Sequence, residues 1–134
     1  MLKLSIVLAG TLMISNYVLS QSRLDIEITE FRNDKGELML QLFNENQKVI
    51  AHEKVFIKDK KCSVSFQELK SGKYGVNFFH DENLSGKLET NLVGKPVEGY
   101  GFSNNVTGKF GPPPFEKWLF EINADKKIVM KPTY

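Results

Sequence analysis

The residues best suited to chemistry lie in one short run, His80-Asp81-Glu82-Asn83-Leu84-Ser85-Gly86-Lys87-Leu88-Glu89, continued by the turn-rich stretch from Gly94 to Asn105. Asp81, Asn83, Ser85, Lys87 and Glu89 occupy alternate positions, the one-three-five-seven-nine spacing of a calcium loop of the D-x-N-x-S-G kind. Gly86 falls at position six, where such a loop needs a positive φ, and Leu88 at position eight, where an apolar side chain anchors it. Carboxylate, amide and hydroxyl oxygens suit a hard cation, and Lys87 would offer its backbone carbonyl. Position twelve is Leu92 rather than the bidentate Glu of an EF-hand, and no helix flanks the loop. Glu98 is the candidate for the late carboxylate, with the Asn91 amide a weaker one. The tentative calcium set is therefore Asp81, Asn83, Ser85, Lys87, Glu89 and Glu98. The same loop without an ion would be held by Asx-turns and backbone bonds.

His80 beside Asp81, with Glu98 downstream, also has the residue types of acid–base catalysis. Against that, His80 continues the alternation of Tyr74, Val76 and Phe78, which reads as a structural histidine at the end of an inward strand face. His52 and His80 are the only histidines and lie far apart in sequence, so a zinc or copper site is not expected. The nucleophile-elbow and nucleotide-binding fingerprints are absent. Cys62 is the single cysteine. It alternates with Val64 and Phe66, so it reads as a small buried apolar residue, and it has no partner for an internal disulfide. His80, Tyr100, Phe102 and Asn104 are the side chains of this region placed to touch a ligand. Tyr100, Phe102, Phe110, Phe115 and Trp118 would stack on sugars or grip a partner if exposed, and are expected to pack the loop onto the domain.

The elements that must position this loop are strands. Leu24, Ile26 and Ile28 alternate with polar residues, as do Leu38, Leu40 and Leu42 after the turn Asn33-Asp34-Lys35-Gly36. This first pair reads as a hairpin. A less regular strand is expected around Val49–Ile57. Cys62, Val64 and Phe66, then Tyr74, Val76 and Phe78, alternate on either side of Lys70-Ser71-Gly72. Residues 81–114, rich in Gly and Pro, read as one long irregular loop with its own apolar anchors. Strands resume at Trp118–Ile122 and Ile128–Met130, and Pro132 puts the last at an edge or at its own end. About seven short strands without a convincing helix predict an all-β, immunoglobulin-like or transthyretin-like Greek-key sandwich. Leu69-x-x-Gly72-x-Tyr74 has the spacing of a tyrosine corner, whose phenol bonds the backbone upstream of it. The alternative is a hairpin with an ordinary core tyrosine.

The N-terminus predicts export. Lys3, an apolar run over residues 6–14 and the small Ser20 form the three parts of a secretory signal peptide. Cleavage there leaves residues 21–134 as one sandwich domain, periplasmic or secreted. The apolar run is too short and too interrupted to span a membrane. The formal net charge is +2, with 18 Lys and Arg against 16 Asp and Glu. No basic cluster points to a nucleic-acid partner.

His80-Asp81-Glu82-Asn83, Gly86-Lys87-Leu88 and Gly94-Lys95-Pro96-Val97-Glu98-Gly99-Tyr100-Gly101-Phe102-Ser103-Asn104-Asn105 resemble a family of exported bacterial proteins, domain of unknown function 2141. The resemblance extends over nearly all of residues 21–134. Ser85 and Glu89 depart from the usual Asn or Asp and Asp, and Lys117-Trp118 from an acidic-Ala pair. The resemblance implies an exported β-sandwich and carries over no catalytic residue. Three readings follow. The first is a non-enzymatic binding or envelope module that takes an envelope or extracellular ligand at its 81–105 loop, with calcium as the one cofactor its residues suggest. The second is a structural or interaction domain with that loop as core cladding. The third is an acid–base enzyme at His80, Asp81 and Glu98.

Overall fold

Strands with one apolar face can bury it only against another such face, and here they form two sheets. The structure, a computed structural model, describes residues 10, 12–14 and 20–134. Most of the expected signal peptide therefore lies outside the described residues. The strands are β1 (Gln21–Ile28), β2 (Glu37–Asn44), β3 (Val49–Phe56), β4 (Cys62–Lys70), β5 (Gly72–Asp81), β6 (Tyr100–Phe102), β7 (Phe120–Ile122) and β8 (Lys126–Met130). One sheet has the order β4-β1-β8; the other has the order β3-β2-β5-β6, with β7 also pairing β5. The inward residues of β1, β2, β4 and β5 are those read from the alternation, and they share one core with Phe31, Ile57, Phe120, Ile122 and Met130. The sandwich expected from the sequence is thus present, with eight strands among the described residues rather than about seven. Among the described residues, no helix is long and apolar enough to cross a membrane.

One connection differs from the sequence reading, and a second decides between its two alternatives. β1 and β2 do not form a hairpin: β1 pairs antiparallel with β4 and parallel with β8, and β2 belongs to the other sheet. Alternation says which face of a strand is buried and leaves its partner open. The β4–β5 connection crosses between the sheets over Ser71 alone. Tyr74 O–H donates to the Lys70 carbonyl at 2.6 Å, which makes this a tyrosine corner and not a hairpin.

The stretch 81–114 contains regular structure. β6 pairs with β5, setting Phe102 opposite Asn77 and Tyr100 opposite Phe79. A 3₁₀ turn follows at Ser103–Asn105. Phe102, Trp118 and Phe43 then build a second, smaller cluster, with Tyr100 and Phe115 partly buried against it. This cluster lies on the face of the larger sheet turned away from the main core, because Phe43 and Gly75 pair across β2 and β5 on that side. A β-carbon on Gly75 would sit 3.4 Å from the Phe115 ring. Ser103 ties the cluster to the sheet: its hydroxyl donates to the Trp118 carbonyl at 2.5 Å and accepts the Val76 N–H at 2.9 Å. The loop aromatics therefore divide. Phe102 and Trp118 are buried as expected, whereas Phe110 is fully exposed, at 104%.

Candidate functional site

β5 ends on His80 and Asp81, and period-two alternation sends their side chains to opposite faces. His80 points inward and has no exposed surface. Its Nε2 is 2.6 Å from the Lys35 carbonyl and its Nδ1 is 2.9 Å from the Tyr134 hydroxyl. A carbonyl only accepts, so Nε2 donates to Lys35, and Nδ1 is paired with the Tyr134 hydroxyl. The Tyr134 oxygen in turn accepts the Arg32 N–H at 3.0 Å. The Phe31 ring meets the imidazole edge-on at a centroid distance of 5.1 Å. Both nitrogens of His80 are engaged and its ring is sealed, so it lacks the open cleft that acid–base chemistry requires.

Asp81 and Glu98 are also buried. Asp81 Oδ1 accepts the Ser85 N–H at 3.0 Å and Oδ2 accepts the Gly86 N–H at 2.8 Å. Glu98 accepts the Glu82 N–H at 2.7 Å and the Glu89 N–H at 3.2 Å. These are charge-assisted bonds to loop backbone, so each carboxylate replaces the amide partners that an irregular segment lacks. Glu82 is bonded to the Arg32 guanidinium, and it accepts from the Asn33 amide at 3.1 Å. Partial burial pushes its carboxyl upward, but the Asn33 and Arg32 hydrogen bonds and the guanidinium charge outweigh that and hold it below the ordinary glutamate range. Arg32 also stacks over the Tyr134 ring, 4.5 Å from its centroid. Burial pushes the Cys62 thiol up to about 12, which leaves it unreactive.

The six oxygen donors of the calcium reading are neighbours in space, but their oxygens are turned to one another's hydrogens. Asn83 accepts the Ser85 N–H at 3.2 Å and donates to Glu89 at 2.5 Å. Ser85 O–H donates to the Lys87 carbonyl at 2.9 Å. Glu98 meets the loop through the amides of Glu82 and Glu89. Among the described residues, no three His, Cys, Asp or Glu side chains are grouped to hold a metal ion. Asn104, in the left-handed region with φ 63°, donates to the carbonyls of Lys117 and Leu119 at 2.9 Å each and so braces the second cluster.

Tyr100 and Phe102 face a different feature. Across β3, β2, β5 and β6 the register aligns His52, Gln41, Asn77 and Phe102 in one row, and Lys54, Met39, Phe79 and Tyr100 in the next. These rows floor a groove on the outer face of the larger sheet, with a cavity of about 430 Å³. Gly86 and Leu88 of the loop wall one end. A second cavity of about 800 Å³ adjoins it past Tyr100 and Phe102, lined by Val93, Lys95, Lys109 and Phe110. Val93 is 86% exposed. The groove residues on β2 and β5 escaped the sequence reading, as did Arg32, Lys35 and Tyr134. Met39 and Phe79 did carry a signal: both are apolar at positions where the alternation demands an outward side chain.

No curated protein and no solved structure is detectably similar to this chain. Residues 26–130 match the family described as "Uncharacterized protein conserved in bacteria (DUF2141)", and the chain belongs to that family.

Proposed function

We propose that this chain is an exported, non-enzymatic binding module whose ligand lies in the groove between the outer face of the β3-β2-β5-β6 sheet and the 81–105 loop. The observation that carries the reading is a division of labour. His80, Asp81 and Glu98 are buried and hold the loop, while apolar, amide and lysine side chains are left along an outward groove. Met39 and Phe79 are only half-buried on a sheet face whose other end is roofed by the Phe43–Phe102–Trp118 cluster. Cavities of this size lie within the ~300–1,000 Å³ range of ligand sites. Exposed apolar surface next to such a groove is what partners use. Export is supported by the three-part N-terminal sequence.

Fragment screening by two-dimensional NMR tests this reading. Bound fragments should shift the amides of Met39, Gln41, Asn77, Phe79 and Tyr100. Shifts confined to other surfaces, or no hits, would contradict it.

A further inference from the structure

We propose that the groove takes an acidic oligosaccharide. This rests on the binding-module reading above and names its ligand class. Phe79 and Tyr100 are register partners on adjacent strands, both half-buried and both lining the first cavity, which gives the groove two aromatic residues at neighbouring positions. The apolar faces of sugar rings stack on such platforms. In the neighbouring row Gln41 and Asn77 stand directly opposite each other, half-buried. Among the described residues, neither amide takes part in a side-chain hydrogen bond. An amide both donates and accepts, so a pair of them matches the hydroxyls of a sugar.

The charged side chains that line the groove are mostly basic. Lys54, Lys95 and Lys109 line its two cavities, and none is ion-paired among the described residues. The one acid along it, Glu53, pairs with core-facing Leu40 and so sits on the opposite face of β3 from Lys54. An anionic ligand is therefore favoured. The two cavities share Leu88, Tyr100 and Phe102, so they form an extended site that suits a chain of rings better than a single one.

Two other occupants fit less well. An acyl chain would leave the Gln41 and Asn77 amides buried without partners. An extended peptide recruited by strand addition needs a sheet edge, and this groove runs over a sheet face.

Calorimetric titration of the 21–134 chain with an oligouronate, a sulfated oligosaccharide, a neutral oligosaccharide of equal length and a single-stranded DNA oligonucleotide tests the inference. The two acidic sugars separate carboxylate from sulfate as the source of charge. At least one should bind, with affinity falling as salt is raised. The Gln41→Ala/Asn77→Ala variant and the Lys54→Gln/Lys95→Gln variant should each weaken binding by about tenfold or more at unchanged melting temperature. The inference is overturned if no saccharide binds, if the neutral sugar binds equally well, or if DNA binds more tightly. If fragments still map to the groove in those cases, only the saccharide class has failed. If they do not, the binding-module reading fails as well.

Discussion

Tyr134 and His80 close the domain on itself. The Tyr134 phenol is hydrogen-bonded to Nδ1 of a fully buried imidazole at 2.9 Å, and the other ring nitrogen is held by the Lys35 carbonyl at 2.6 Å. Sequence separation between the two is large, so this bond joins the segment after β8 to the root of the loop. Both ring nitrogens have partners. That is the arrangement of a strut.

Tyr134→Phe keeps the ring and removes only the hydroxyl, which orphans Nδ1 in a buried site. The expected cost is about 1–3 kcal/mol of unfolding free energy, read by urea denaturation. An unchanged midpoint would show that the bond does not bear on stability.

Glu98 has a comparable part for the loop. Glu98→Gln replaces one of two acceptor oxygens by an NH₂ group, so one of the two backbone amides held by Glu98 loses its acceptor. Hydrogen exchange at Glu82 or at Glu89 should accelerate, while exchange in β1 and β4 stays slow, and stability should drop by about 1.5–3 kcal/mol. Unaltered protection at both amides would refute the role assigned to Glu98.

Calcium should leave the melting temperature unmoved. The Asp81 and Glu98 oxygens already accept loop amides, so the loop is held in place without an ion. Thermal melts in millimolar calcium and in chelator should superimpose. A rise that Asp81→Ala abolishes would restore the calcium loop.

The Glu82 carboxyl is held below its ordinary value of 4.5, chiefly by Asn33 and Arg32 acting against partial burial. A carboxyl depressed by folding stabilises the native state above its unfolded value, and that contribution is lost as pH falls through the folded value. The melting temperature should therefore decline below pH 4.5, and Glu82→Gln should make that acid limb shallower. Parallel acid limbs for the two proteins would rule Glu82 out as a contributor.

Much of the fold was legible because burial has a period. Leu24, Ile26 and Ile28 or Tyr74, Val76 and Phe78 announce both a strand and its inner face. Pairing was not legible in the same way. Asn33-Asp34-Lys35-Gly36 has hairpin composition but serves a crossing between sheets, since a turn's residues do not say which strand follows into which sheet. The short strand Tyr100–Phe102 was hidden in a glycine-rich stretch because three residues carry no period. His80 was read correctly as the end of an inward face. The carboxylates were harder. An alternating set of oxygens looks the same whether it receives a cation or backbone amides, and the sequence does not say that the Ser85, Gly86 and Glu89 N–H groups are turned toward Asp81 and Glu98. Outward Met39 and Phe79 were the visible trace of the groove.

The proposed working surface is the groove and not the His80–Asp81–Glu98 cluster. The most direct measurement compares the affinity of a groove-mapped fragment with the melting temperature in two variants, Phe79→Ala and Glu98→Gln. The prediction is that Phe79→Ala abolishes binding with its melting temperature nearly retained, while Glu98→Gln lowers the melting temperature and still binds below it. Loss of binding in Glu98→Gln at an unchanged melting temperature, with Phe79→Ala binding normally, would contradict the account.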